Sequence, residues 1–335
     1  MQLPKSFDLF LKRARSSFFN YRSKWRIERC YSSNQGYAKN EKKLVIMMID
    51  GKVSHGGLAD RLKGIVSVYM VAKKMNLDFK LHFVNPFPIS KIFDINKVDW
   101  KISPSDISYN NNSSKAYYLM NDRRYCYESS GEKAFEEILK SDYKQLHIYS
   151  NSFLSLECGK FQELYHELFT LTDSFRDDLK DHIDVLGKDF ICVGTRFAGS
   201  LGDFSDACTG ALTPEEQVKL MSDCKSKIQQ IHEEYPSKKI LLATDSDRFV
   251  KYLEDVEYIY TIDGPRIHID SPDYRRKYFV MSDSEYGKLK ITLIDYILIS
   301  EASKIFQLHG KGMWQGGFTL SASQINNRPY EVIEF

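Results

Sequence analysis

From residue 43 onward, short apolar runs alternate with longer stretches whose apolar residues recur every three or four positions. Residues 43–49 read as a strand. Residues 57–75 read as a helix with Leu58, Leu62, Ile65, Tyr69 and Ala72 on one face. Residues 78–84 form the next strand, ended by the turn at Pro86–Pro88. The polar stretch 103–115 reads as a surface loop, 145–151 as a strand, and 159–186 as one long helix. The second half keeps the rhythm, with strands over 190–197, 239–244, 257–262 and 305–309. Its helices fall at 214–235, 246–255, 288–302 and 318–325, and 330–333 is a last extended piece.

Alternating β and α units require mostly parallel sheets covered by helices on both faces. Two such sets predict an α/β chain of two Rossmann-like domains facing a cleft. We expect an arm over 1–40, a first domain over 41–165 and a second over 166–335. No repeat with a 20–50-residue period is visible. Ligands of such sheets bind beyond the carboxyl ends of strands, so the loops that follow strands hold the candidate chemistry.

The chain has 335 residues, 42% hydrophobic and 27% charged, which excludes a disordered protein. Lys and Arg number 47 against 45 Asp and Glu, which excludes a generally basic nucleic-acid binder. The longest uninterrupted apolar run, 44–49, is far too short to span a bilayer. The six cysteines (Cys30, Cys126, Cys158, Cys192, Cys208, Cys224) form no CxxC pair, and the N-terminus lacks the apolar stretch of a signal peptide. The expectation is a reduced, cytoplasmic protein. Residues 1–29 depart from the balanced whole. Eight basic side chains (Lys5, Lys12, Arg13, Arg15, Arg22, Lys24, Arg26, Arg29) face only Asp8 and Glu28, with Phe7, Phe10, Leu11, Phe18, Phe19, Tyr21 and Trp25 among them. That interleaving suits an anionic membrane surface, which would make the protein peripheral on the inner face of the cytoplasmic membrane. A solvated arm, or a helix packing its aromatics on the body, would give the same pattern.

Four loops stand out. The first, 50–61, carries His55, then Gly56-Gly57 at a helix start, then Asp60 and Arg61; exposed N–H groups there favour an anion. It has neither GxGxxG nor GxxxxGK[ST], which argues against a dehydrogenase or an ordinary ATPase. The second, 196–204, opens with Arg196 at the end of a buried strand and continues to Asp203. Arg196 suits a two-pronged hold on phosphate oxygens, or an ion pair with a carboxylate. The third, Thr244-Asp245-Ser246-Asp247, offers either an Asp-x-Asp pair for a divalent cation or simply a helix cap. The fourth, 310–323, places Gly316-Gly317 before Thr319, Ser321 and Ser323, a set of N–H donors suited to a diphosphate or a flexible turn.

Together these segments resemble the fucosyltransferase superfamily, which includes α-1,2-, α-1,6- and protein O-fucosyltransferases. His55-Gly56-Gly57-Leu58-Ala59-Asp60-Arg61-Leu62 resembles its opening glycine loop, and 196–203 its central arginine motif. Ala243-Thr244-Asp245-Ser246 resembles its Thr-Asp, and 295–300 with 318–323 its C-terminal donor-binding region. The short motifs span 44–325 in the family's order. Gly194 stands where the family often has His, and Arg196 is a single arginine where several members have two, which leaves sugar nucleotides other than GDP-fucose open.

The resemblance implies a GT-B fold and transfer of a sugar, fucose foremost, from a GDP-sugar to a hydroxyl of a glycan or lipid-linked oligosaccharide, in bacterial surface-polysaccharide synthesis. The donor-binding set is Gly56, Gly57, Arg61, Arg196, Thr244, Asp245, Ser246, Gly317, Ser321 and Ser323. An arginine and helix N–H groups can neutralise a departing diphosphate without metal, so no metal or other cofactor is expected. His55, Asp60 and Asp203 are the candidate bases for an inverting displacement. The alternatives are a metal-dependent transferase using Asp245 and Asp247, and a non-catalytic sugar-nucleotide binder docked at the membrane.

Overall fold

β1 (Leu44–Ile49) follows α1 (residues 18–28) and is buried at all six positions. Its side chains alternate between two apolar clusters. Val45, Met47 and Ile49 join one cluster, and Leu44, Ile46 and Met48 the other. Both faces of its sheet are therefore covered, as the unbroken apolar run requires. These relations come from a computed structural model that describes residues 18–120, 129–151, 160–203, 210–269 and 280–335. Residues 1–17 of the basic arm, Phe204, and Cys126, Cys158 and Cys208 lie outside the described residues.

The chain passes through α2 (Leu58–Lys74) to β2 (Asp78–Phe83), β3 (Phe93–Ile95), β4 (Ser114–Tyr118), α3 (Ser129–Leu139) and β5 (Gln145–Tyr149). Strands β2, β1, β5 and β4 pair in that order in a parallel sheet. The chain continues through α4 (Lys160–Leu168), β6 (Phe169–Leu171) and α5 (Asp173–Leu186). Next come β7 (Ile191–Thr195), α6 (Pro214–Glu234), β8 (Ile240–Thr244), α7 (Asp247–Tyr252), β9 (Ile259–Tyr260), α8 (Asp283–Glu301), β10 (Lys304–His309), α9 (Gly317–Ile325) and β11 (Tyr330–Glu334). The second sheet, ordered β11-β10-β7-β8-β9, is also parallel throughout. The α/β architecture with two parallel sheets is as expected.

Two expectations fail locally. The single helix over 159–186 is interrupted, because Phe169–Leu171 leaves the helix to pair antiparallel with β3 and Thr172 then caps α5 by accepting from Phe175 N. The polar loop over 103–115 is not on the surface along its whole length. Ser108, Asn110, Ser113 and Ser114 are buried, and β4 begins inside it. There the polar side chains meet backbone partners. Asn110 Nδ2 donates to the carbonyls of Ser33 and Gln35, and Ser108 Oγ to that of Gly36.

The order of strands fixes where a ligand fits. β1 lies between β2 and β5, and β7 between β8 and β10, so crossovers leave in opposite directions at these two strands. Such switch points open crevices beyond the strand ends. A continuous core joins the sheets through Leu62 of α2, Leu164 of α4, Leu293 of α8 and Ile325 of α9.

Candidate functional site

A cleft of about 360 Å³ is lined by the loops that leave β1, β7, β8 and β10 together with one face of α8. The β1 loop contributes Gly56, Gly57 and Asp60. The β7 end contributes Thr195 and Arg196, the β8 end Thr244 and Asp245, and the β10 loop Gly316, Gly317 and Thr319.

Two helices begin in this cleft, and both begin on glycine. α2 starts after Gly57 and α9 after Gly316, and neither has a side-chain hydrogen bond at its cap. By contrast α5, α6, α7 and α8 start on Thr172, Thr213, Ser246 and Ser282, each accepting from a first-turn N–H. The N-cap residues of α2 and α9 thus offer no side-chain acceptor to the first-turn N–H groups, an arrangement that favours a bound anion, with the Asp60 carboxylate in the first turn of α2 beside them. Gly56 is required locally. Its φ is +78°, and a Cβ there would fall 2.7 Å from Asp60 Oδ2. Arg196 runs alongside the second of these helix starts, since a Cβ on Gly316 would lie 3.4 Å from its Cγ.

Asp245 anchors the β7 loop. Its Oδ1 accepts from Phe197 N at 2.8 Å, its Oδ2 from Ala198 N at 2.8 Å, and Arg196 Nε lies 3.5 Å from Oδ2. Burial pushes its carboxyl up, while Arg196 and the two N–H groups pull it back. Asp247 instead pairs with Arg266 Nη1 at 2.6 Å. The two carboxylates of the Asp-x-Asp pair therefore serve different partners, and no group of three or more metal-ligating side chains converges among the described residues.

Of the residues singled out in the sequence, Gly56, Gly57, Asp60, Arg196, Thr244, Asp245 and Gly317 line the cleft. The other six do not, and each has a structural engagement. His55 is buried behind the loop, with Nδ1 3.2 Å from the Val53 carbonyl, and burial holds its pKa down to about 4, helped by the Arg61 charge. Arg61 donates from Nε to the Gly56 carbonyl at 3.0 Å and from Nη1 to that of Asn85 at 2.6 Å, pinning the glycine turn from below. Asp203 Oδ2 accepts from Ser246 Oγ at 2.7 Å and Arg248 N at 2.8 Å, so it joins Ser246 in capping α7. Ser321 Oγ bonds Tyr296 Oη at 2.7 Å, and Ser323 Oγ donates to the Leu320 carbonyl at 2.7 Å. Both serines point into the core.

The structure adds residues that sequence reasoning missed. Three buried polar atoms without a hydrogen-bond partner belong to residues lining this one cleft: Thr195 Oγ1, Arg266 Nε and Asp295 Oδ1. Buried polar groups are rarely left unpaired, so their convergence marks a place for a ligand's own donors and acceptors. Burial pushes the Asp295 carboxyl up to about 7, with Arg266 opposing the rise. Asp295 stands in one of the segments that carried the family resemblance, which was the available signal. Gly194 is also explained. A Cβ there would lie 2.6 Å from Thr319 Cγ2 and 2.7 Å from Gln307 Oε1, so the Thr319–Gln307 pair occupies the room a side chain at 194 would need.

No protein-family model matches the sequence. Comparison with curated proteins likewise finds no match. The fold does have solved counterparts. A mutant of Arabidopsis thaliana FUT1 in complex with GDP superposes with a TM-score of 0.55 at 12% identity, covering 99% of this chain and 80% of that one. The fucosyltransferase NodZ from Bradyrhizobium gives 0.54 at 14% identity, covering 88% and 96%. NodZ α-1,6-fucosyltransferase soaked with GDP-fucose gives 0.53 at 13% identity, covering 88% and 95%.

Proposed function

We propose that this protein is a fucosyltransferase-like glycosyltransferase that takes a sugar, fucose foremost, from a GDP-sugar and passes it to a hydroxyl of a glycan or lipid-linked oligosaccharide. The observation that carries the reading is the cleft itself, where an arginine and two uncapped helix starts share the space with unpaired Asp295, Arg266 and Thr195 atoms. Of the solved counterparts with this fold, FUT1 is in complex with GDP and NodZ was soaked with GDP-fucose, which supports the same donor class here.

Each part of such a donor meets a complementary group. The diphosphate needs positive charge and N–H donors, which Arg196 and the starts of α2 and α9 supply. A guanine base presents two neighbouring donors, N1–H and the 2-amino group, and a carboxylate such as Asp295 accepts both. Uracil and adenine offer no such pair, so Asp295 selects guanine. As the anomeric carbon–oxygen bond breaks, negative charge grows on the leaving diphosphate, and the same cationic groups stabilise it more strongly than they do the ground state. This makes the reaction metal-independent.

The acceptor hydroxyl must lose its proton as its oxygen attacks from the face opposite the leaving group, giving inversion. Asp60 is our assignment for the base. Of the three sequence candidates it alone lines the cleft, and its side chain is 44% exposed, with Lys63 Nζ 3.0 Å from Oδ1. We assign residues 41–165 to the acceptor side and 166–335 to the donor side, and place the reaction in bacterial surface-polysaccharide assembly.

The test is calorimetric titration of the protein with GDP and with UDP, followed by incubation with GDP-fucose alone and with chelator. Binding of GDP but not UDP, and slow metal-independent release of GDP from the donor, are expected. Equal binding of both nucleotides, or none, would overturn the reading, and GDP binding without any turnover would leave a binder instead of an enzyme.

A further inference from the structure

We propose that α1 is a membrane-docking surface that seats the protein on an anionic lipid bilayer through a ridge of aromatic and basic side chains. Only a narrow edge of this helix packs on the body. Ser23 and Ile27 are buried, Ile27 inside the cluster formed with Leu44, Ile46 and Met48 of β1. Asn20 Oδ1 accepts from Tyr118 Oη at 3.3 Å beside them. The aromatics are not what holds the helix down. Phe18, Phe19, Tyr21 and Trp25 are 62%, 52%, 68% and 54% exposed, and nowhere else among the described residues do four large exposed hydrophobic side chains fall within eight positions.

Their spacing completes the surface. Phe18, Tyr21, Arg22, Trp25 and Arg29 recur at intervals of three and four, which places them along one side of the helix and its last turn. The Arg22 guanidinium stands 5.7 Å from the Phe18 ring centre, and that of Arg29 5.0 Å from the Trp25 ring. Lys24 adds a third exposed cation, and Glu28 is the one acid in the segment. Glu28 shares a small cavity with Lys24, Ala116 and Tyr117 at the junction with β4. Aromatic rings with guanidinium groups held beside them suit the headgroup layer, where rings enter the acyl boundary and cations meet lipid phosphates. The ridge is convex and built on one helix, which favours a planar bilayer over a glycan chain as its partner. No helix among the described residues is long and apolar enough to cross a membrane, so the contact lies in the plane of the surface.

The docking site is fixed to the cleft. Arg26 Nη1 donates to the Lys52 carbonyl at 3.4 Å, tying α1 to the loop that carries Gly56 and Gly57. If the transferase reading holds, a lipid-linked acceptor would be presented at that loop. The docking itself does not depend on that chemistry.

The experiment is co-sedimentation of the full chain with vesicles of phosphatidylcholine alone, or with about a third phosphatidylglycerol, at low and high salt. We compare wild type with Arg22→Ser/Arg29→Ser and with Phe18→Ser/Trp25→Ser, using far-ultraviolet circular dichroism and a cooperative melting transition to show that each variant is folded. Wild type should bind the anionic vesicles only and leave them at high salt. The arginine variant should partition roughly thirtyfold more weakly, and the aromatic variant should lose binding while keeping its melting temperature. Equal binding to neutral vesicles, wild-type binding by either folded variant, or binding to a glycan with none to vesicles would overturn the proposal. A failed GDP titration with intact vesicle binding would strike only the transferase reading.

Discussion

Replacing Asp295 by Asn should make the empty protein more stable and the donor complex weaker. The carboxyl is held up near 7 by burial, against an ordinary 3.8. In the unfolded chain it ionises near pH 4, whereas in the fold it resists until about pH 7. Stability is therefore lost as pH rises through that window and stays lost above it. At ~1.36 kcal/mol for each pH unit of that gap the ceiling is about 4 kcal/mol, and partial solvent access of the residue brings it to about 1–3. Asn carries no charge to desolvate, so the variant should melt several degrees higher than wild type at pH 8 and alike near pH 4. Guanine tells the opposite story. The new amide turns an N–H₂ toward one of the base's donors and loses a charge-assisted hydrogen bond, which costs about 2–3 kcal/mol, or ~30–150-fold in Kd. Melting curves from pH 4 to 8, with and without GDP, read both effects at once. In wild type GDP should bind more tightly as pH rises toward 7, because the base's donors favour the ionised carboxylate; in the variant that slope should vanish. An apo variant less stable at pH 8, or GDP affinity unchanged, would refute the reasoning.

Other substitutions separate chemistry from support. Arg196→Ala should lower turnover ~10²–10³-fold with the fold intact, the usual effect of removing one preorganised donor; near-normal turnover would remove Arg196 from the mechanism. Asp203→Ala removes the acceptor for Ser246 Oγ and Arg248 N at the start of α7, so it should cost about 1–2 kcal/mol of stability in a denaturant melt. Its turnover per folded molecule should stay close to wild type, and a thousandfold loss would instead restore Asp203 as a base. His55, held down to about 4, is neutral at working pH. His55→Asn should therefore leave the shape of the pH–rate profile between 6 and 9 unchanged, whereas loss of a limb near 6.5 would show that this ring titrates.

The cleft leaves selected groups without intramolecular partners. Ser and Thr close the starts of α5 to α8, while glycine opens α2 and α9, where a side-chain oxygen would compete with a ligand's phosphate for the same N–H groups. Arg61 shows the complementary economy. It belongs to the donor-binding set expected from the sequence, yet its Nε and Nη1 donate to backbone carbonyls that hold the glycine turn in shape.

Local patterning along the chain was enough to place the strands that are buried on both faces, the helices between them and the loops that carry Gly56, Gly57, Arg196 and Asp245. Burial and turn chemistry are local signals: an unbroken apolar run such as 44–49 or a Gly-Gly before a helical face can be read along the chain. Where the polar atoms end depends on the folded arrangement. Phe169–Leu171 is compatible with a helix until β3 offers it a partner strand. Ser321 and Ser323 look like ligand groups until Tyr296 and the Leu320 carbonyl claim them. Asp295 sits in a helix whose apolar and polar residues do not segregate to opposite sides, so periodicity gives it no face. Its buried oxygen is left without a partner in a cleft assembled from strand ends spread along the chain from Ile49 to His309. Apolar burial needs only a face, and any neighbour will cover it. A hydrogen bond needs one particular atom at one distance and angle, and that match exists only after the chain has folded.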